Sequence, residues 1–232
     1  MKIAFGALLL AACGSDSGKS IDAAPTVPTT INVSGVASER SLSGTTPVAG
    51  LVVAAYSNAA PSTVVVMTTT DAAGMYTLAI PTMGHPVDGF VKATKSGYVD
   101  TYLYAPEPLV ADFASASLNM LTPNEFSLLS GTLCAVTADP AKATVALEVV
   151  DASNQTVMGA TVSSTPAASK ECYDQGGFPN KSATATDTDG VAVMFNITAG
   201  PVMVSAAKSG ATFKSHSINA VANAFTTTLV TE

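Results

Sequence analysis

A chain of 232 residues has room for two domains of about 100 residues, each large enough for a core of its own. A formal charge of −7 with no run of like charge excludes nucleic acid as a partner, which needs a clustered basic surface. Only 12% of residues are charged, 6% are aromatic and none is Trp, and the small and β-branched residues that remain suit a thin sandwich core.

Lys2 precedes an uncharged apolar run over residues 3–12, which is too short to span a bilayer and fits the hydrophobic region of a secretory signal. The run ends in Leu10-Ala11-Ala12-Cys13, which resembles the bacterial lipobox. That resemblance implies a signal peptide over residues 1–12, a diacylglycerol on the Cys13 thiol and a membrane partner engaged through this lipid. The competing reading is a short buried strand with an incidental Cys. Gly14 directly after the cysteine resembles the sorting context of outer-membrane lipoproteins, which implies a place in the cell envelope. Residues 13–29 are rich in Ser, Asp, Gly, Ala and Pro and cannot repay the entropy of ordering, so a flexible tether is expected.

The first domain is expected over 30–120, with strands at 30–37, 50–57, 63–70, 75–80, 89–95, 98–104 and 111–120. Gly44, Pro47, Pro61, Pro81, Gly84, Pro86 and Gly97 fall between them at the intervals of an antiparallel sandwich. A linker over 121–142 carries a capping box, with Thr122 as N-cap, Pro123 at the first helical position and Glu125 reaching back. Phe126, Leu129 and Leu133 then share one face of a short amphipathic helix. The second domain, 143–232, is expected to place strands at 143–150, 159–164, 182–186, 191–197, 202–208, 213–219 and 224–230.

Thr70-Asp71-Ala72-Ala73-Gly74 returns as Thr186-Asp187-Thr188-Asp189-Gly190, and each copy leads into an alternating strand. In both, the Asp carboxylate (Asp71, Asp187) can accept a local N–H while the Gly (Gly74, Gly190) takes the left-handed conformation that closes a bulged hairpin. Val-x-Gly before the turn and Lys-Ser-Gly after it also recur. The Gly50/Gly159, Gly74/Gly190 and Gly97/Gly210 pairs are offset by 109, 116 and 113 residues. Anchors that keep their order while loops change length indicate two copies of one domain. Ser34-Gly35-Val36, Pro47 with Gly50, Thr70 to Gly74 and Gly97-Tyr98 together resemble the carboxypeptidase regulatory-like domain. That resemblance implies an all-β chain of two tandem antiparallel Greek-key sandwiches of transthyretin-like type. The second copy departs from the pattern, with no Pro before Gly159 and Ala211 where Tyr98 stands.

Of three cysteines, Cys13 would carry lipid, and Cys134 and Cys172 are left in a disulfide-permissive compartment. A bridge between them is expected, the alternative being two separate buried thiols. Asp187-Thr188-Asp189-Gly190 looks like the start of a calcium loop, but position twelve is Thr198 and position five bears no ligand, so turn capping is the reading and no metal is expected. His85 and His216 lie in different copies, and neither has a second His or Cys beside it at a metal-ligand spacing. No nucleophile elbow and no Ser, His and Asp set can be identified, so no catalytic residue and no cofactor is assigned.

One stretch could form a ligand surface. Alternation over residues 98–104 puts Tyr98, Asp100, Tyr102 and Tyr104 on one face and Val99, Thr101 and Leu103 on the other. If the second set faces the core, the tyrosines and the carboxylate form an outward platform for stacking a sugar ring. Otherwise the Tyr face lies inside, or under the loop at 106–108. The functional expectation is a lipid-anchored, non-catalytic binding or scaffolding module whose partner is a glycan or an envelope protein. The alternative is an accessory domain pair serving a separate secreted peptidase or glycan-degrading enzyme.

Overall fold

The computed structural model describes residues 26–232, so the expected signal segment and Cys13 lie outside the described residues. The first copy consists of β1 (Thr30–Ser41), β2 (Gly44–Pro47), β3 (Val52–Ser57), β4 (Ala60–Thr69), β5 (Met75–Pro81), β6 (Gly89–Thr94), β7 (Thr101–Tyr104) and β8 (Leu118–Met120). The second consists of β9 (Lys142–Val150), β10 (Thr161–Thr165), β11 (Lys170–Gln175), β12 (Phe178–Asn180), β13 (Val191–Thr198), β14 (Gly200–Ala207), β15 (His216–Ala220) and β16 (Phe225–Thr231). The architecture is the all-β sandwich that the turn spacing and strand alternation imply.

The copies repeat one wiring scheme. The first strand of each pairs antiparallel with the strand after its T-D-x-x-G turn, β1 with β5 and β9 with β13. The last strand of each runs parallel to the first, β8 on β1 and β16 on β9. The opposing sheet of the first copy runs β4-β3-β6-β7, and that of the second β10-β14-β15.

What joins the copies is β16, which pairs parallel with β9 on one edge and with β7 of the first copy on the other. The result is a nine-stranded sheet in the order β12-β11-β13-β9-β16-β7-β6-β3-β4. Its two faces are covered by different copies. Val53, Ala55, Val91 and Ala93 pack against Ile31, Val33, Leu78 and Ile80 of the first copy's small sheet. The opposite face, through Val145, Leu147, Val149 and Met194, packs against Val162, Val202, Val204 and Ile218 of the second copy's small sheet. Side chains alternate along each strand, so the shared sheet is apolar on both faces near its middle, as a doubly covered sheet must be.

The linker lies on the outer face of the second copy's half of this sheet. α1 (Pro123–Ser127) begins with the expected capping box and continues into a π-helical segment, Leu128–Leu133. Leu121, Leu129 and Cys134 pack there against Ala146, Val193, Phe195 and Phe225, with Phe126 beside them. Cys134 and Cys172 are bonded, fastening the linker to β11.

Two expected strands are corrected, and β11 stands where none was expected. Residues 182–186 are loop rather than strand: Thr186 is held by side-chain and main-chain bonds to Val157 and Ala160 instead of a ladder. The strand that fills the place beside β13 is β11, whose Lys-Glu-Cys-Tyr-Asp-Gln run shows little apolar alternation outside its buried residues. Of residues 111–120 only Leu118–Met120 form a strand, and Phe113 is tied to β1 by a single parallel bridge to Val33.

Candidate functional site

Tyr102 and Tyr104 do share a face of β7, and Thr101 and Leu103 take the other. Leu103 packs with the first core, as the platform reading requires. Yet the Tyr face is no open platform, and the alternative reading, a face that lies inside, holds: Tyr102 and Tyr104 are 7% and 3% exposed. The reason is the β7–β16 pairing, which carries the second copy's small sheet over that face. The Tyr104 hydroxyl donates to the Asn219 carbonyl at 3.1 Å, and burial pushes its pKa up to about 12. Tyr98 precedes β7 and turns toward the first core. Its hydroxyl donates to Glu39 Oε2 at 2.6 Å, and this bond, then burial, raises its pKa to about 12. Asp100 stays half exposed and pairs with Lys92 Nζ at 2.9 Å.

Two aromatic residues on other strands complete the cluster. Register places Tyr56 opposite Phe90 and Phe90 opposite Tyr104, so one aromatic row crosses β3, β6 and β7. Tyr56 stacks on Phe90 at 5.1 Å with a 9° interplanar angle, and Phe90 on Tyr104 at 5.0 Å. Such rows stabilise a sheet beyond the area they bury. Lys92 Nζ stands 5.4 Å from the Tyr102 ring centroid, a cation–π distance, and burial opposed by its bonds to Asp100 and Tyr102 leaves its pKa raised. Between this row and the turn after β15 lies a cleft of about 260 Å³, bounded by Tyr56, Pro61, Ser62, Lys92, Asn219 and Val221 among others. Tyr56, Phe90 and Lys92 escape sequence analysis because the signal is cross-strand register, which no local window contains.

The turns form where the repeat puts them, but the expected hairpins are corrected: β4 pairs with β3 and β5 with β1, so the first turn crosses between sheets, and the second joins a loop to β13. The side-chain bonds of the two turns also differ. Asp71 Oδ1 accepts from the Ala73 and Met75 N–H groups at 2.9 and 2.8 Å, and the Gly74 N–H donates to the Asp71 carbonyl. In the second copy the Gly190 N–H likewise donates to the Asp187 carbonyl, but Asp187 Oδ2 reaches out to the Gly176 N–H at 2.8 Å. That bond and one from the Thr188 N–H hold the Asp187 carboxyl below its ordinary pKa. Gly74 and Gly190 have φ of +75° and +69°.

Beside the second turn lies a group of carboxyls, of which sequence analysis names only Asp189. Glu148 of β9 and Asp174 of β11 are each buried on the same face of the shared sheet, on either side of Val191, with Asp189 nearby. Burial first, and the Asp189 charge second, push both pKa values up to about 8. Among the described residues no group of three His, Cys, Asp or Glu side chains is arranged to hold a metal ion. His216 Nε2 lies 2.8 Å from Thr228 Oγ1, and burial lowers its pKa.

No protein-family model matches the chain, and no curated protein does. Among solved structures, the Bacillus anthracis TIE protein is 12% identical at a TM-score of 0.29, over 88% of this chain and 34% of that one. The shaft pilin SpaA of Lactobacillus rhamnosus GG is 14% identical at 0.28, covering 88% of this chain and 98% of the pilin. GBS52, the minor pilin of Streptococcus agalactiae, is 9% identical at 0.27, over 87% and 96%. The chain spans about a third of the length of the TIE chain it matches. The functional reading rests on this chain's own residues.

Proposed function

We propose that this protein is a non-catalytic, lipid-anchored component of the cell envelope, in which the two sandwiches act as one stiff spacing and binding unit. The observation that carries the reading is the insertion of β16 between β9 and β7, which makes a single sheet of nine strands out of two repeats. A chain joined in this way resists bending at the junction, because rotation of one copy against the other must break a strand ladder instead of flexing a linker. The lipobox-like Leu10 to Cys13 supplies the anchor in this reading, and among the described residues no helix is long and apolar enough to cross a membrane.

Two measurements test it. Metabolic fatty-acid labelling should mark the parent and not Cys13→Ser; label retained in the variant removes the lipid anchor. Small-angle scattering should give one rigid particle whose dimensions do not change with ionic strength; a broad distribution of distances between the copies removes the stiff unit.

A second reading, binding of a glycan chain, is favoured by the aromatic cleft. Tyr56 at its wall offers an apolar face, and Lys92, Ser62 and Asn219 supply hydrogen-bonding groups beside it. This reading would make the protein an accessory to a secreted glycan-degrading enzyme. Glycan-array binding lost on Lys92→Ala and Tyr56→Ala supports it, and an array with no signal above background rejects it.

A further inference from the structure

At one end of the first sandwich, between its two sheets, lies a cavity of about 220 Å³ that adjoins the aromatic cleft through Tyr56, Phe90 and Tyr104. Val33, Ile80 and Ala116 form one wall, Ala55, Val91 and Leu103 the facing wall, and Leu109, Phe113 and Leu229 close the end. The void has a local cause. Ala55 on β3 and Ala116 on the connection before β8 are short side chains in the space between the sheets, where a spacing of about 10 Å is ordinarily filled by larger ones. Gly89 cannot fill it either, because a Cβ there would lie 2.1 Å from the Tyr56 carbonyl oxygen. Phe113, Val87 and Leu109 lie on connections outside the named strands. Leu109 and Val87 exchange main-chain bonds at 2.8 and 2.9 Å, so the rim is a built feature rather than a frayed end.

The chemistry of the lining selects a class of ligand. No Lys, Arg or His is among the lining residues, and the one carboxyl is that of Asp88, whose Oδ1 already accepts from Asn58 Nδ2 at 2.7 Å. The Thr82 hydroxyl is spent on the Pro28 carbonyl, and the Ser57 hydroxyl accepts from the Ala59 N–H. The lining is therefore mostly apolar, and the Asp88 carboxylate, exposed at its mouth, disfavours an anionic head group there. An apolar cavity of roughly 150 Å³ accepts a six-carbon ring, so about 220 Å³ has room for on the order of eight carbons. The cavity opens toward solvent past Val65 and Pro86, so a long ligand can leave its head outside.

We propose that this cavity binds one alkyl or acyl chain carried by an uncharged head group, as in a glyceride, and discriminates against the free fatty-acid anion. Burial of apolar chain against this lining supplies the affinity, and Asp88 at the exposed mouth supplies the discrimination. The inference does not depend on lipidation of Cys13 or on the glycan reading: Tyr56, Phe90 and Tyr104 line both cavities, but the residues argued from here, Leu109, Val65 and Asp88, line only this one.

The test is calorimetric titration of the full chain carrying Cys13→Ser, so that no lipid of its own competes, with 1-monooctanoylglycerol below its micellar concentration and with octanoate. The glyceride should bind one to one, and octanoate at least tenfold more weakly at pH 8. Leu109→Trp at the rim and Val65→Trp at the mouth fill the space from half-buried and exposed positions. Each should weaken glyceride binding at least tenfold while keeping a cooperative melt. Absence of saturable glyceride binding, equal affinity for octanoate, or unchanged affinity in both folded Trp variants would overturn the proposal.

Discussion

Thr70 and Thr186 are structural equivalents: each buried hydroxyl donates at 2.6 Å to a carbonyl, of Val48 and of Val157, and accepts at 2.9 Å from an N–H, of Leu51 and of Ala160. The main chain of each adds two more bonds to the same segment, Gly50 N–H and Leu51 C=O in one copy and Gly159 N–H and Ala160 C=O in the other. The Thr of T-D-x-x-G thus ties the strand that follows Val-x-Gly to the turn, while the Asp shapes the turn itself. Thr70→Val or Thr186→Val keeps the volume and removes the hydroxyl, leaving a buried N–H and a buried C=O without their partner. Each should cost about 2 to 4 kcal/mol, two orphaned groups at roughly 1–3 each less partial relaxation. Urea titration of the single variants would check this, and a loss below 0.5 kcal/mol would be incompatible with the role given to the hydroxyl.

Gly74 and Gly190 carry two constraints at once. Their positive φ disfavours any L side chain, and a Cβ would lie 2.4 Å from the Ala37 carbonyl oxygen in one case and 2.6 Å from that of Val149 in the other. Gly74→Ala and Gly190→Ala should each cost more than the roughly 1–3 kcal/mol of backbone strain alone. Asp71→Ala, by comparison, should cost about 1 kcal/mol, since Asp71 is exposed and only its side-chain bonds to main chain are lost. Because β16 joins the copies, thermal melts of either Gly variant should move the whole transition; two separate transitions would show that the shared sheet does not couple them.

The buried carboxyls predict an uncommon pH dependence. Glu148 and Asp174 titrate near 8 in the fold against ordinary values of 4.5 and 3.8, so between about pH 4 and pH 8 the unfolded chain is ionised where the fold must stay protonated. The unfolded state then binds fewer protons, and stability falls as pH rises through this window. Each group contributes a slope of up to about 1.4 kcal/mol per pH unit, and the slope flattens above 8. Asp174→Asn should reduce the slope and raise stability at pH 8 relative to the parent. Urea midpoints at pH 5, 6.5 and 8 would measure this; a parent that is most stable at pH 8 would contradict it.

The Cys134–Cys172 bond closes a segment with a sequence separation of 38 residues. On the loop-entropy model this contributes roughly 3 to 4 kcal/mol. Reduction, or the Cys134→Ala and Cys172→Ala pair, should lower the urea midpoint accordingly and first loosen the linker, whose Leu129 and Phe126 contacts lie against the same face. Hydrogen exchange over residues 121–140 would locate the effect. An unchanged midpoint would show that linker packing holds without the bond.

Much of this was settled along the chain itself. Turn chemistry is local, so Asp71, Gly74, Asp187 and Gly190 declare their turns to any reader of five consecutive residues, and recurrence of the motif declares the repeat; that neither turn closes a hairpin, the first crossing between sheets, is not written there. Capping at Thr122, Pro123 and Glu125 is likewise complete within four residues and formed as expected. The bond between Cys134 and Cys172 was expected, with two separate buried thiols as the alternative, and the tertiary structure decides for the bond. The fate of Tyr102 and Tyr104 could not be known in the same way. Alternation correctly put them on one face of β7, but whether that face meets water depended on a ladder between Phe225 to Thr227 and Thr101 to Leu103, residues more than 120 positions apart. A parallel strand pairing of that kind leaves no mark in either segment, because any apolar and β-branched run offers the same main-chain donors and acceptors. The aromatic row of Tyr56, Phe90 and Tyr104, the void between Ala55 and Ala116, and the burial of Glu148 beside Asp174 arise for the same reason. Each is set by which strands become neighbours, and that choice is made by the packing of whole sheets.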